Sequence, residues 1–201
     1  MYDPFIQKFS DYLGDAERLP FVSPSYKVLG VEFICPQYIS FLFKNAAGEI
    51  FGRFQVYPRP NGEFHISAIN AGLAKSKTKG LGYGREFVRR AVLFATDEDY
   101  TKISTSIFAG GGSSFWFSLG FRSDEPCKPN WGEARRDEAA QVAHWKENLA
   151  RCPDQVWHLA KTDLGRRVLR NRGNKGVLDL RDPKQRSHAF AQLKLPLTPD
   201  P

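Results

Sequence analysis

The sequence predicts a mixed α/β fold in which a mostly antiparallel sheet is flanked by helices. Residues 38–44, 50–57 and 63–70 have strand character and are separated by short turns rich in Asn, Gly and Pro, which is typical of an antiparallel meander. The hydrophobic period then changes, because a glycine-rich run over 79–84 opens an amphipathic helix and residues 101–108 return to strand character. A strand, a helix and a strand in this order indicate a parallel crossover.

The N-terminal part of the chain predicts a helix followed by an extended segment. Asp3 and Pro4 suit the N-cap and the first helical position, and apolar residues recur at helical spacing up to Leu13. Gly14 can end this helix. Residues 26–35 are expected to be extended.

Alternation along the predicted strand over residues 63–70 gives the third strand of the meander two different faces. One face carries Glu63, His65 and Ser67, and the other carries Phe64, Ile66 and Ala68. The apolar face is expected to pack on the core.

Two helices are predicted beyond the glycine run. The first has one apolar stripe, formed by Phe87, Val88, Ala91, Val92 and Ala95. The second is a short apolar helix over 113–119 that Gly120 closes, after which Phe121 and Arg122 begin another strand.

Residues 130–201 predict a helical and basic C-terminal extension, separate from a domain over residues 1–129. A helix is expected over 133–150, with a core-facing stripe of Val142, Trp145 and Leu149. A second helical candidate covers 155–172. The final segment, which contains Pro183, Pro196, Pro199 and Pro201, is expected to be largely irregular.

The composition excludes a disordered chain and predicts no membrane span. The apolar fraction is 41% and there are 16 phenylalanines, enough for a core, and no apolar run approaches about 20 residues. The N-terminus lacks the basic and apolar regions of a secretory signal. Cys35, Cys127 and Cys152 show no C-x-x-C spacing, which predicts reduced thiols, no metal site and a cytoplasmic protein. A delivered bacterial effector has the same appearance.

The formal net charge of +7 is unevenly distributed. Residues 1–129 hold 15 Lys/Arg and 13 Asp/Glu, whereas residues 130–201 hold 14 and 9. A basic extension of this kind suits an anionic partner such as a nucleotide, RNA or an acidic protein surface. The alternative is a soluble surface that is basic without a ligand.

The glycine run over 79–84 has the chemistry of a pyrophosphate site. Glycines let a phosphate approach the backbone, and the helix that follows adds the positive end of its dipole. The run lacks the Gly-Lys-Ser/Thr of a P-loop, because Gly84 is followed by Arg85 and Glu86. It also lacks the third glycine of the dinucleotide pattern, because Arg85 stands three residues after Gly82.

Two motifs resemble those of the Gcn5-related N-acetyltransferase (GNAT) superfamily. Lys79-x-x-Gly82-x-Gly84, followed by Arg85-Glu86-Phe87-Val88, is similar to that family's coenzyme A loop and helix start. The apolar segment from Phe115 to Phe121, which ends in Leu-Gly-Phe, resembles its second marker and follows about thirty residues later. The resemblance covers roughly residues 20–125.

The resemblance implies an acetyl-CoA-dependent transferase in which an amine attacks the thioester directly. It places the coenzyme on the backbone near Leu73 and Ala74 and on the loop of Lys79, Gly80, Leu81, Gly82, Tyr83, Gly84 and Arg85. Glu63 and His65 are the candidate bases, and the alternative for both is a solvated sheet face. The family's proton-donating Tyr has Trp116 at the matching position, and an indole donates a hydrogen bond but does not usefully release a proton.

The acceptor is left open among a protein lysine, an N-terminus, a small amine and a charged tRNA. On a helix, Arg166, Arg170 and Arg167 share a face that could hold the 3′-phosphate of coenzyme A, an acidic peptide or RNA, or could simply be solvated. Trp116 also leaves open a non-catalytic acyl-CoA-binding or interaction module.

Overall fold

The computed structural model describes residues 4–14, 22–24, 39–44, 50–59, 61–71, 82–106, 112–123, 128–170 and 175–196. The chain divides into two compact units, Met1–Ile103 and Ser104–Pro201. The predicted functional division between residues 129 and 130 stays a prediction. In the described part of the chain, no helix is both long and apolar enough to cross a membrane.

The first unit is built on an antiparallel meander, as predicted. Its strands are β1 (Val22–Pro24), β2 (Ile39–Lys44), β3 (Ile50–Arg59) and β4 (Glu63–Ala71), and each is antiparallel to the next. The turn between β3 and β4 contains Asn61 and Gly62, both at positive φ. The extended segment predicted over 26–35 lies outside the described residues.

Two helices cover one face of this meander with aromatic side chains. The helices are α1 (Pro4–Gly14) and α2 (Tyr83–Asp97), and both were predicted. The ring centroid of Phe9 in α1 lies 5.3 Å from that of Phe64 in β4 and 4.9 Å from that of Phe94 in α2. Such ring pairs contribute about 0.5–1.5 kcal/mol each beyond the area that they bury. The predicted apolar stripe of α2 is fully confirmed as buried.

A β-bulge interrupts the pairing of β3 with β4. Val56 pairs with Ile66 but Gln55 pairs with Ala68, so Ser67 is an extra residue on β4. The prediction of uninterrupted alternation is therefore wrong beyond Ile66. Ile69, rather than Ala68, is the residue of β4 that pairs with the buried Phe54.

The predicted parallel crossover follows β4. The chain continues through α2 into β5 (Lys102–Ser106), which neighbours β4 in the sheet. The backbone N–H of Thr101 donates to the carbonyl of Gly62 at 2.9 Å. Gly62 precedes β4 and Thr101 precedes β5, so the two strands start at the same end, as parallel strands do. The sheet is therefore mixed and mostly antiparallel.

The second unit contains short helices and a small antiparallel ladder. Its helices are α3 (Gly112–Ser118), α4 (Ala139–Arg151), α5 (Val156–Leu159), α6 (Asp163–Val168) and α7 (Pro183–Leu193). Strands β6 (Arg122–Ser123) and β7 (Lys175–Asp179) pair antiparallel, with Arg122 opposite Val177. The predicted short helix and its closing glycine are confirmed, since Gly120 has a φ of +91°.

The helix predicted over 155–172 is wrong as a single element, because it is two helices, α5 and α6. The hydroxyl of Thr162 accepts the N–H of Gly165 at 2.9 Å and so caps a new helix. At Gly165, an added Cβ would lie 1.8 Å from the carbonyl oxygen of Leu159. The chain can fold back this closely only where there is no side chain.

The prediction of a largely irregular final segment is also wrong, since β7 and α7 lie within it. The carboxylate of Asp182 accepts the N–H groups of Lys184 and Gln185 at 2.9 and 3.2 Å, and Pro183 takes the first helical position. Helix α7 buries Ala189, Phe190 and Leu193. Proline therefore begins a helix here instead of preventing one.

Helix α4 is confirmed, and its predicted stripe lies on the less exposed side of the helix. Val142, Trp145 and Leu149 are half-buried, whereas most other residues of α4 are exposed. No residue of α4 is fully buried, so the stripe is covered only in part.

Candidate functional site

The start of helix α2 is the most specific feature of the predicted coenzyme loop. Gly82 caps the helix with φ 83° and ψ 2°, a left-handed conformation that side chains disfavour. Its carbonyl accepts the N–H groups of Arg85 and Glu86 at 3.0 and 3.1 Å. Among the described residues, apart from its chain neighbours, no atom lies within 4 Å of where a Cβ would stand. The conformation therefore favours glycine, and the described part of the chain leaves this side of the turn uncovered.

The electrostatics at this helix start favour an anion. The first N–H groups of an α-helix have no intrahelical acceptor, and they carry the positive end of the helix dipole. The one acid in the first turn, Glu86, lies 3.0 Å from Arg90 and 3.4 Å from Arg89. Its negative charge is therefore balanced within the helix.

The structure describes only part of the predicted coenzyme loop. Gly82 and Arg85 are exposed, and Tyr83 and Gly84 are partly exposed. The remaining predicted contacts lie outside the described residues: Leu73, Ala74, Lys79, Gly80 and Leu81. Their assignment to the coenzyme stays a prediction.

The two candidate bases belong to a side-chain cluster at the paired ends of β3 and β4. Tyr57 pairs with His65 across the strands, and Arg59 pairs with Glu63. The imidazole of His65 is 3% exposed and its centroid lies 4.7 Å from that of the Tyr57 ring. The solvated-face alternative is therefore wrong for His65. Glu63 is partly exposed and forms an ion pair with Arg59 at 2.7 Å.

Arg59 connects the members of this cluster. Its Nε and Nη2 donate to Oη of Tyr57 at 3.1 and 2.6 Å, and its Nη1 donates to Oε1 of Glu63 at 2.7 Å. Burial disfavours the guanidinium, but the hydrogen bond to Tyr57 and the interaction with Glu63 outweigh it and raise the pKa of Arg59. Arg59 therefore stays charged. We refer to Tyr57, Arg59, Glu63 and His65 as the Arg59 cluster.

The structure does not bring the Arg59 cluster close to Gly82. His65 is six residues before the end of β4 at Ala71, which corresponds to about 20 Å at a strand rise of about 3.3 Å per residue. Gly82 lies beyond that end, where α2 starts, whereas the start of β4 contacts Thr101, beyond the end of α2. The two halves of the predicted site are therefore at opposite ends of β4.

The bulge at Ser67 lies between these two halves and was not predicted. A bulge leaves one residue out of the regular ladder and bends the strand, and bulges are frequent beside active sites. The sequence carries no signal for it, because a serine fits an uninterrupted strand equally well.

In the second unit, Trp116 lies inside α3 and is 5% exposed. Its ring meets that of Phe121 edge-on, with centroids 5.0 Å apart. These contacts are those of a core side chain. Among the described residues, no group of three His, Cys, Asp or Glu side chains could hold a metal ion, and Cys152 is a free thiol.

The predicted basic face is smaller than the sequence suggests. Arg166 pairs with Asp163, and Arg167 pairs with Glu138, which is 29 residues away in the chain. The hydrogen bond between Arg167 and Glu138 raises the pKa of Arg167 and lowers that of Glu138. Helix α6 ends at Val168, so the prediction that Arg170 shares a helical face with Arg166 and Arg167 is wrong.

Comparison with solved structures finds acetyltransferases. An acetyltransferase from Bacillus cereus is 20% identical, over 44% of this chain and 61% of that one, with a TM-score of 0.38. A GNAT family acetyltransferase from Staphylococcus aureus is 13% identical, over 44% and 55%, with a TM-score of 0.37. One from Elizabethkingia anophelis, with acetyl-CoA bound, is 16% identical over 80% and 97%, with a TM-score of 0.41.

The structural neighbours are acetyltransferases. This chain spans about 60% of the length of the first two. No protein-family model and no curated protein matches it. Sequence identities and TM-scores this low do not transfer an activity to this chain.

Proposed function

We propose that this protein is an acetyl-CoA-dependent N-acetyltransferase that transfers an acetyl group to a primary amine by direct attack. The observation that carries the proposal is the start of α2, where Gly82 holds a left-handed turn before a 15-residue helix and no other described residue covers the turn. Backbone N–H groups and a helix dipole directed at one open point suit a pyrophosphate. The residues present therefore fit coenzyme A.

The arrangement of β4 also fits a long ligand. Coenzyme A separates its pyrophosphate from its thioester by a flexible pantetheine arm, and about 20 Å of β4 lies between His65 and the end of the strand at Ala71. Gly82 lies beyond that end. We assign the pyrophosphate to residues 79–85 and the pantetheine arm to the backbone of Leu73 and Ala74. His65 or Glu63 would accept the proton that the amine loses as the C–N bond forms and the C–S bond breaks.

The alternative without catalysis is an acyl-CoA-binding module, and one observation favours it. Trp116 stands where the family resemblance expects a proton-donating Tyr, and its buried indole is packed on Phe121. An indole N–H does not release a proton near neutral pH. If the chain is an enzyme, the thiolate takes its proton from another group or from water.

The acceptor that we propose is a protein lysine, an N-terminus or a small amine, encountered in the cytoplasm. Charged tRNA is the alternative within the same chemistry, and a host protein is the alternative for a delivered effector. Arg166 and Arg167 pair with acidic side chains, which offset their positive charge. This pairing weakens the case for charged tRNA as the acceptor.

The first test is isothermal titration with acetyl-CoA. We expect binding by the wild type and no binding by Gly82→Asp, because the substitution adds a carboxylate and a side chain where the phosphates approach. Gly62→Asp is the matched control, since Gly62 also has positive φ, at +68°, but lies at the other end of β4. Gly62→Asp also places a side chain at positive φ, and the variant should bind acetyl-CoA normally.

A panel of amines then separates the enzyme from the module. Release of free thiol with any amine supports the transferase, whereas binding without thiol release supports the module. Absence of binding at high micromolar acetyl-CoA would reject both.

A further inference from the structure

We propose that Arg59 is a positioning residue for the acetyl transfer, and that it acts by holding Tyr57 against His65 and by binding Glu63 in an ion pair. This inference rests on the proposed function. Arg59 was not predicted as a site residue. Tyr57 lies two residues before it on β3, and the register of β3 and β4 brings Glu63 opposite it. A positioning role for Arg59 gives the two candidate bases, Glu63 and His65, different roles.

The guanidinium of Arg59 bridges two side chains. Arg59 donates three hydrogen bonds in one plane, two to the hydroxyl oxygen of Tyr57 and one to the carboxylate of Glu63. The planar, rigid fork of arginine suits such a bridge, and a lysine ammonium cannot reproduce it. One side chain therefore fixes the positions of two others.

Glu63 is engaged by Arg59, because its Oε1 accepts the hydrogen bond from Nη1 of the guanidinium at 2.7 Å. Glu63 is therefore a partner of Arg59, and the structure favours His65 as the group that accepts the proton from the amine.

His65 lies against the ring of Tyr57. Its ring lies 4.7 Å from that of Tyr57, tilted by 45°, and both residues are 3% exposed. The hydroxyl of Tyr57 is anchored by Arg59, so the ring beside His65 is held at both ends, by its own backbone and by the guanidinium. Displacing such a support by about 1 Å costs on the order of a hundredfold in rate when the supported group takes part in the reaction.

The test compares Arg59→Met and Arg59→Lys with the wild type, using the amine that proves to be a substrate. We expect kcat to fall about tenfold or more in Arg59→Met, with the KM for acetyl-CoA unchanged, because Gly82 lies at the other end of β4. Arg59→Lys keeps the charge without the fork and should recover part of kcat. Arg53→Met is the matched control, since Arg53 is an exposed arginine on the same strand.

A purely structural role predicts a different pattern. Arg59→Met would then lower the folded fraction while leaving kcat per folded molecule within about twofold of the wild type, or would change the KM for acetyl-CoA as much as kcat. Either result overturns the proposal.

A readout independent of turnover separates this inference from the proposed function. The ring signals of His65 in a ¹H–¹³C spectrum, assigned with His65→Gln, carry the ring-current shift of Tyr57. We expect them to move in Arg59→Met and to stay in place in Arg53→Met. If the wild type transfers no acetyl group but the signals move as expected, the proposed function fails and the support of His65 by Arg59 stands. Unmoved signals overturn the inference.

Discussion

At the residue scale, two glycines perform different tasks. Gly82 has a left-handed backbone conformation that favours glycine, and no other described residue covers it within 4 Å. Gly165 has no unusual φ, but it contacts the carbonyl of Leu159 so closely that no side chain fits. The proposed role of Gly82 is therefore in a ligand-binding turn, whereas Gly165 is needed for packing.

This difference gives a stability prediction for Gly165→Ala. The added Cβ would lie 1.8 Å from the carbonyl oxygen of Leu159, so α5 and α6 must move apart. We expect a loss of about 3 kcal/mol in the free energy of unfolding, measured by urea denaturation followed by circular dichroism. Gly132→Ala, whose Cβ would lie 3.4 Å from Oδ1 of Asn130, should change it by less than about 0.5 kcal/mol. Equal effects would contradict the close packing at Gly165.

At the element scale, Arg122 joins β6 to two segments that follow it in the second unit. It donates to both carboxylate oxygens of Asp154 at 2.8 and 3.0 Å and to Asp182, the N-cap of α7, at 2.5 Å. Its guanidinium also lies 5.4 Å from the ring centroid of Trp157. The Arg122 side chain therefore connects β6, the segment at Asp154 and the start of α7.

The ion pair between Arg122 and Asp154 predicts a pH dependence. The hydrogen bond from Arg122 lowers the pKa of Asp154, against the effect of burial. The stabilisation is therefore fully present above the unfolded pKa of about 3.9 and is lost as pH falls through the lower folded pKa. We expect Asp154→Asn to cost about 1–2 kcal/mol near pH 7 and progressively less below about pH 4, measured by urea denaturation.

Asp163→Asn is the control for this experiment. The side chains of Asp163 and Arg166 are 79% and 57% exposed. Removal of this ion pair should therefore lower the free energy of unfolding by less than about 0.5 kcal/mol, both near pH 7 and below about pH 4. A cost for Asp154→Asn that stays constant with pH would show that the charge of Asp154 is not what matters.

The elements that the sequence predicted well are those defined by local signals. The stripe of α2 and the glycine after α3 depend on spacing and on a single backbone conformation. Helix α7 also has a local signal, since Asp182-Pro183 is the same cap that predicted α1 at Asp3-Pro4, and it was missed because the later prolines suggested irregular structure.

The features that were not predicted depend on how the elements are placed against one another. The bulge at Ser67 is a property of the register between β3 and β4. The pairing of Arg167 with Glu138 spans 29 residues. Arg59 is only two residues from Tyr57 and four from Glu63, but Glu63 comes to lie opposite it through the turn between β3 and β4. In the candidate site, the glycine turn was therefore predictable and the surroundings of His65 were not.

At the scale of the whole molecule, the net charge of +7 predicts a salt-dependent affinity for polyanions. Arg170 is exposed, and the helix that was expected to align it with Arg166 ends before it. We expect Arg170→Glu to weaken binding to tRNA or heparin and to reduce the salt slope of that binding by about 1 or more.

Arg53→Glu is the matched control, because it changes the net charge equally from an exposed position in the first unit. Equal weakening by both variants would show that total charge, rather than the C-terminal segment, governs the association. Binding that does not change with salt would contradict an electrostatic interaction.

The division into two compact units has a consequence for spectroscopy. All four tryptophans, Trp116, Trp131, Trp145 and Trp157, belong to the unit Ser104–Pro201. The intrinsic indole emission of this protein therefore originates in that unit, because the phenylalanine-rich unit contains no tryptophan. Two unfolding curves, one from emission and one from far-ultraviolet ellipticity, would coincide only if both units melt in one cooperative transition.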